Sequence, residues 1–515
     1  MNALVEPHHD GGLFGRPLFE DPSARALARV GVVDVGSNSV RLVVFDGAAR
    51  SPAYFYNEKI MCALGAGMSD TGHLNPTGRV RALGALRRFK HLAMGMGLSD
   101  LTVVATAAVR DSSDGPDFCA DVERETGLYV RIIDGREEAR LSAQGVLLGW
   151  PGSYGLVCDI GGSSMELAEI SGGIVGRRET SDLGPLKLQT VKGGKKGRTA
   201  HIKATMERLE AAMGAQRDRL FLVGGSWRAI CKVDMHRRGY PLQVLHEYRM
   251  TPKAVRQTAK FIAKHEDHEA LRAACGISST RMALVPLAAE VLMRLVKTFK
   301  PKDIAISSYG IREGMLYEQM PQRLRDRDPL VEACRFAEAK DARMPGFGKL
   351  LYAFIEPIFK SAPPARKRLI KAACLLHDVS WRAHPDYRAE VCFDNATRAN
   401  LGGLKHAERI FLGLALLHRY TNKREGTHFE GLYELVDDKT KLEAEVLGKA
   451  MRFGAMLWMD KDAKLGEFRW FPKKRQLELH LARDAMPLFG EVAEARLNSL
   501  ADSLQAEVTV KQRKR

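Results

Sequence analysis

The chain has 515 residues, a formal net charge of +17, 45% hydrophobic and 27% charged residues. That balance excludes global disorder, and eight cysteines with no CxxC pair exclude a small disulfide scaffold. The positive excess points to a polyanionic partner, but with 7% aromatics and no aromatic–basic cassette a nucleic acid is not the expected one.

The length suggests about three domains. Residues 1–29 read as a loose arm with acids, prolines and no apolar run, unlike a signal peptide. No stretch approaches the roughly 18 uncharged apolar residues of a membrane span. Cysteines lie in apolar runs and read as buried thiols in a reducing compartment, so the expected location is the cytoplasm, with no membrane partner. From Val30 to about Gly173, strand-like runs such as VGVVDVG, LTVVATAAV and GLVCDI alternate with helical spacing, which predicts an α/β region. Further strand–turn–helix units are expected at 220–233 and 302–320. Beyond about Arg323 the strand signal fades and apolar helical stripes dominate to the mid 480s. The expected division is an arm over 1–29, one lobe over 30–150, a second over 151–320, and an all-α domain with a basic tail over 321–515.

An internal echo sharpens this division. VGVVDVGSNSVRLVVFDG (30–47) and GLVCDIGGSSMELAEISGG (155–173) share one plan: an apolar strand ending in Asp, a turn of small residues, and a second strand. Such a hairpin can offer backbone amides and hydroxyls to an anionic phosphate, with the Asp placed for a metal or a water. Two copies, with Asp34 and Asp159 125 residues apart, suggest a duplicated fold holding phosphate between facing hairpins.

These residues resemble the exopolyphosphatase and guanosine-pentaphosphate phosphohydrolase family, within the actin, heat-shock-protein-70 and sugar-kinase superfamily. VVDVGSNSVRL and CDIGGSSMEL resemble its two phosphate motifs. VATAAVRD, IIDGREEARL, LVGGSWRAI and YGIREGML resemble four further segments, in the right order over 30–317. The resemblance implies a duplicated ribonuclease-H-like core with an HD-like helical C-terminal domain. It also implies a phosphoanhydride hydrolase, with inorganic polyphosphate as the preferred substrate and guanosine pentaphosphate as the alternative; a non-enzymatic sensor of either is a further alternative. A homodimer is expected.

Asp34, Gly36, Ser37, Asn38, Ser39 and Arg41 form the first candidate phosphate site, and Gly161, Gly162, Ser163 and Ser164 the second. Glu166 lies two residues beyond Ser164, on the same strand face, where it can join Asp159 at a hard divalent cation, expected to be Mg²⁺. Glu137 and Glu138 open a helix, and residue chemistry alone leaves capping open for both. The resemblance assigns the catalytic base to Glu138 and makes Arg110 a charge clamp; a salt bridge to Asp111 or Glu137 is the alternative for Arg110. Gly224, Gly225 and Ser226 precede a helix whose free amides suit an anion. Trp227 either packs in the core or narrows a nucleotide pocket. Residues 183–206 read as a flexible basic loop, with Lys192, Lys195, Lys196 and Arg198 either solvated or tethering a long polyanion. His377 and Asp378 resemble the metal pair of HD phosphohydrolases, yet 321–376 lacks any His to complete it. His406 and His418 lie downstream, on amphipathic helices where they either pack or ligate.

Overall fold

The computed structural model describes residues 29–513 apart from 47–49, 51–52, 99, 215–217 and 458–465. The N-terminal arm therefore lies almost wholly outside the described residues. The chain divides into two compact units, through Pro329 and from Leu330.

The first unit carries one strand plan twice. Strands β1 (Arg29–Val35), β2 (Ser39–Asp46) and β3 (Ala53–Met61) form an antiparallel meander, and β4 (Leu101–Ala105) and β5 (Val130–Ile132) extend it in parallel beyond β1. The sheet order is β3-β2-β1-β4-β5. Strands β6 (Gly155–Ile160), β7 (Met165–Ser171), β8 (Ile174–Ser181), β9 (Arg219–Val223), β10 (Arg249–Met250) and β11 (Asp303–Ile306) repeat the plan as β8-β7-β6-β9-β11, with β10 added at the edge. The central strands β1, β2, β6 and β7 are apolar and buried nearly throughout, as strands covered on both faces must be. Edge strand β3 alternates between half-buried and exposed. Each lobe has its own core, around Leu42, Phe89 and Phe118 in the first and Leu167, Trp227 and Phe299 in the second.

Two helices join the lobes. Helix α1 (Gly135–Gly149) follows β5 of the first sheet but packs on β6, β7 and β8 of the second. The helices that follow in the chain include α2 (Gly194–Met213), α3 (Gly225–Arg238) and α4 (Val285–Phe299). Helix α5 (Ile311–Gln319) follows β11 and packs reciprocally on β1. Where α1 and α5 cross, backbone meets backbone. A Cβ on Gly314 would stand 1.8 Å from the Leu141 carbonyl oxygen, and one on Gly145 2.2 Å from that of Gly310. Only glycine permits this approach.

Residues 183–206 need correction: they are not a flexible loop. A short helix spans Pro185–Gln189, and α2 begins at Gly194. Ile202, Met206, Leu209 and Met213 form its apolar stripe, buried in the second lobe's core. The second unit contains the expected helices, including α6 (Pro364–Leu376), α7 (Pro385–Arg398), α8 (His406–His418), α9 (Asp438–Leu457) and α10 (Glu491–Leu504). It is not helices alone, however. Strands β12 (Gly466–Phe471), β13 (Gln476–Leu481) and β14 (Glu507–Gln512) form a small sheet, ordered β12-β13-β14, which takes in Lys511 and Gln512 of the expected basic tail. Phe354, Phe453 and Phe468 pack between this sheet and the helices, with ring centroids 4.6–6.1 Å apart.

Candidate active site

The two hairpins share a register and differ in sign. In the first, Asp34 stands opposite Arg41 across β1 and β2; in the second, Asp159 stands opposite Glu166 across β6 and β7. Both turns close in one way, the Gly36 amide on the Ser39 carbonyl at 3.1 Å and the Gly161 amide on the Ser164 carbonyl at 3.0 Å. Neither Gly36 nor Gly161 has a left-handed backbone, and a Cβ on either would meet its own turn only at ordinary contact distance, 3.5 and 3.6 Å. The fold does not demand glycine there; what a side chain would fill is the space in front of the turn.

The carboxylates converge. Asp34 accepts a hydrogen bond from Arg312 Nη1 at 3.0 Å, and burial raises its proton affinity. Asp159 accepts from the Ser142 hydroxyl on α1, and burial raises its proton affinity too. Glu166, 1% exposed, accepts from Thr180 Oγ1 at 3.2 Å through one oxygen, while Oε2 is buried without a partner. Burial and then the neighbouring Asp159 push the Glu166 pKa up to about 8. Like charges directly opposite each other destabilise a strand pair unless a proton or a cation lies between them.

Glu137 and Glu138 separate clearly. Glu137 is held by Arg140 Nη2 at 2.6 Å and Arg131 Nη2 at 3.6 Å, and the Arg140 bond holds its pKa down. Its amide is capped by Asp134 Oδ1 at 2.7 Å. Glu138 has a side chain 13% exposed, and its Oε2 is buried without a hydrogen-bond partner. Burial, then the charges of Glu166, Asp159 and Asp34, drive its pKa well above the carboxylate range. The nearest cation, Arg110 Nη1, is 3.9 Å away. Arg110 binds Asp111 through Nε at 2.8 Å and the Ile133 carbonyl at 3.2 Å, so both the clamp and the structural alternative find geometry.

Facing these acids is a set of cations that the sequence reading did not single out, apart from Arg41. Burial and the Arg312 charge lower the pKa of Arg228, to about 10, and that of Arg41. Lys59 is lowered by burial, then by Arg281, Arg41, Arg312 and Arg228. Mutual repulsion of this kind marks a place where an anion would relieve it. Arg41 is steadied by Asn57 Oδ1 at 2.8 Å. Arg312 was within reach of sequence reasoning, since it lies inside the YGIREGML segment. Glu313 beside it is structural, accepting from the Gly310 amide at 2.7 Å and the Tyr54 hydroxyl at 2.8 Å.

The remaining candidates divide. Gly224 lies against Asp159: a Cβ there would be 3.1 Å from Oδ1 and 2.6 Å from the Ile160 carbonyl oxygen. Arg281 covers Gly225, where a Cβ would come within 2.7 Å of its Cζ, and Arg281 Nη1 donates to Ser226 Oγ at 3.2 Å. Trp227 is wholly buried in the second lobe's core. Lys192, Lys195 and Lys196 are exposed around the start of α2, but Arg198 is paired with Glu290 at 2.9 and 3.1 Å. In the second unit, Asp378 is gripped by Arg343 Nε at 2.9 Å and Nη2 at 2.5 Å. Burial lowers the His377 pKa to about 4, and the His418 pKa is lowered likewise. Among the described residues no group of three or more His, Cys, Asp or Glu is arranged to hold a metal ion. Asp159 and Glu166 still fit as two oxygen ligands of a hard cation that takes its other ligands from water and phosphate; the like-charged pair and the bare Glu166 Oε2 favour one.

All eight cysteines are free, and no described helix is long and apolar enough to cross a membrane. The model of the Ppx/GppA phosphatase family matches residues 43–323, and that of the exopolyphosphatase C-terminal domain matches 358–509. Retrograde regulation protein 2 of Saccharomyces cerevisiae is 25% identical over 436 residues, 76% of this chain and 72% of that protein. Exopolyphosphatase 1 of Mycobacterium tuberculosis is 32% identical over 143 residues, 27% of this chain and 42% of that protein, so the chain spans less than half its length. A solved Ppx/GppA family member from Aquifex aeolicus superposes with a TM-score of 0.50 at 22% identity, covering 58% of this chain and 99% of that one. An exopolyphosphatase from Cytophaga hutchinsonii superposes at 0.51 and 21% identity, covering 57% and 97%. Both likenesses carry the fold: a duplicated, actin-like α/β core.

Proposed function

The chain belongs to the Ppx/GppA phosphatase family, and from that premise we propose that it removes terminal phosphoryl groups from inorganic polyphosphate, releasing orthophosphate. The observation that carries this is Glu138, a recessed carboxylate with a bare oxygen, raised proton affinity and a single loose ion pair, with Arg110 at 3.9 Å. A general base works best with a pKa near the working pH, and removing positive partners while adding negative neighbours is how a carboxylate gets there. Glu138 orients the attacking water and takes its proton as the oxygen bonds to the terminal phosphorus; the bridging oxygen departs with the shortened chain. Arg312, Arg228, Arg41 and Lys59 neutralise the charge spread over the phosphoryl oxygens, the main demand of phosphoryl transfer. A divalent cation held by Asp159 and Glu166 supplies further charge neutralisation at those oxygens when bound.

Polyphosphate is favoured over guanosine pentaphosphate by the net charge of +17, by the exposed lysines at 192, 195 and 196, and by Arg281. Its guanidinium lies over Gly225, in the loop before Trp227 where the sequence left a nucleotide pocket open, and puts charge there where a nucleoside would need an apolar slot. The test is phosphate release from polyphosphate and from guanosine pentaphosphate at equal concentrations of terminal phosphate, with and without chelator. Faster release from polyphosphate, lost with chelator, is expected; preferential release from the nucleotide would reverse the assignment. A regulatory role is the second reading, favoured by the likeness to Retrograde regulation protein 2 over most of both chains. Binding without release from either substrate would establish it.

A further inference from the structure

The second unit holds a cavity of about 280 Å³ whose lining is dominated by arginines: Arg343, Arg388, Arg419, Arg452 and Arg496, around Tyr420. Two of the five have structural duties. Arg343 neutralises Asp378, and Arg388 donates to the Ala383 carbonyl at 2.9 and 3.1 Å. Of the other three, Arg419 feels the charge of Asp378, which Arg343 already holds. Among the described residues none of Arg419, Arg452 and Arg496 forms an ion pair; Arg452 Nη1 reaches only Asn422 Oδ1, at 3.1 Å. Arg419 Nε is buried without a hydrogen-bond partner. Burying guanidinium groups together without an anion is costly, and a fold retains such a cluster most readily when a ligand pairs with it.

We propose that this pocket binds the phosphate group of a compact anion, at a site separate from the catalytic cleft. The geometry favours phosphate over a carboxylate. Five arginines border one small volume, and a group of planar forks suits a tetrahedral anion with three or more acceptor oxygens and more than one charge. The small volume suits a compact anion. Orthophosphate, pyrophosphate and the exposed diphosphate end of a guanosine polyphosphate share the chemistry the pocket reads. The site lies beside His377 and Asp378, the pair that resembles an HD metal site. Here Arg343 takes the carboxylate of Asp378, and Tyr420 Oη donates to the His377 carbonyl at 2.8 Å. This inference does not depend on what the cleft hydrolyses.

The test uses the full chain and the double variant Arg452→Gln/Arg496→Gln, both positions only half-buried, with circular dichroism to confirm folding. Pyrophosphate, orthophosphate and guanosine tetraphosphate are titrated separately by calorimetry, and tripolyphosphate turnover is measured in parallel. The expected result is weakening of at least one class of pyrophosphate site by roughly tenfold or more, the usual effect of losing a charge-assisted hydrogen bond, with unchanged kcat on tripolyphosphate. Arg312→Gln, in the cleft, should leave that class intact. Whichever probe binds most tightly names the source of the phosphate. Identical titrations in wild type and double variant would overturn the site, as would loss of all binding in Arg312→Gln.

Discussion

Glu137 and Glu138 are consecutive residues with opposite electrostatics. Two arginines hold Glu137, whereas Glu138 is pressed upon by three acids. Glu138→Gln should therefore lower kcat by about 10²–10⁴, the range for a general base, with a much smaller change in KM. Glu137→Gln should leave the chemical step largely intact and lower the melting temperature instead. Steady-state kinetics on tripolyphosphate, beside a thermal melt of each variant, separates the two. Glu166 gives a pH prediction. Its folded pKa of about 8 lies above the unfolded value near 4.5, so the folded state holds an extra proton between those limits. Without divalent cation, stability is greatest at the acid end of that window and falls as pH rises through about 8. Because Glu166 is buried, the loss should reach a few kcal/mol. Glu166→Gln should raise the melting temperature at pH 8.5 and change it little near pH 4.5. A constant difference across that series would show that Glu166 does not hold the proton.

At the scale of elements, the glycine contact between α1 and α5 sets how the acids and cations meet. Glu138 and Ser142 ride on α1, and Arg312 rides on α5. Gly314→Ala places a methyl 1.8 Å from the Leu141 carbonyl, so one helix must move. The expected cost is about 1–3 kcal/mol of stability, as for overpacking elsewhere, with kcat/KM falling further than stability alone explains. A chemical denaturation curve and a kinetic assay on one preparation check both. The paired hairpins and their acids were legible in the sequence because each is a local pattern: an apolar strand, an Asp and a small-residue turn. Arg228, Arg281 and Lys59 were not, because each is an isolated residue on a helix or edge strand that reaches the site only through closure of the two lobes. The α2 segment was misread for a different reason. Gly193, Gly194 and Gly197 are poor helix interior residues, and their weight hid the stripe of Ile202, Met206, Leu209 and Met213 that the core rewards. Phe468, Leu477, Leu479 and Leu481 likewise carry a strand's burial pattern inside a region dominated by helical stripes.

Across the whole molecule the relevant quantity is charge. An excess of 17 positive charges acts on a long polyanion cumulatively, with counterion release at each neutralised phosphate. Affinity for long polyphosphate should fall steeply with salt, and that for tripolyphosphate less so. Lys192→Gln/Lys195→Gln/Lys196→Gln should raise KM for long chains and leave tripolyphosphate nearly unchanged; Arg198 is left out because Glu290 already neutralises it. The ratio of long-chain to short-chain kcat/KM over a salt series reads this directly. A ratio that ignores both salt and the substitutions would confine recognition to the cleft.

The backbone contact between α1 and α5 also bears on the topology of the substrate. With carbonyls of one helix against glycines of the other, a chain has no room to thread between the α1 and α5 backbones where they cross. A molecule can present a reacting phosphorus there only if it has a tip. Cyclic trimetaphosphate has the same anhydride bonds as a linear chain, and no end. It should be left intact under conditions that consume linear tripolyphosphate, and a ³¹P spectrum of the two, mixed with the protein in one tube, would show which resonances decay.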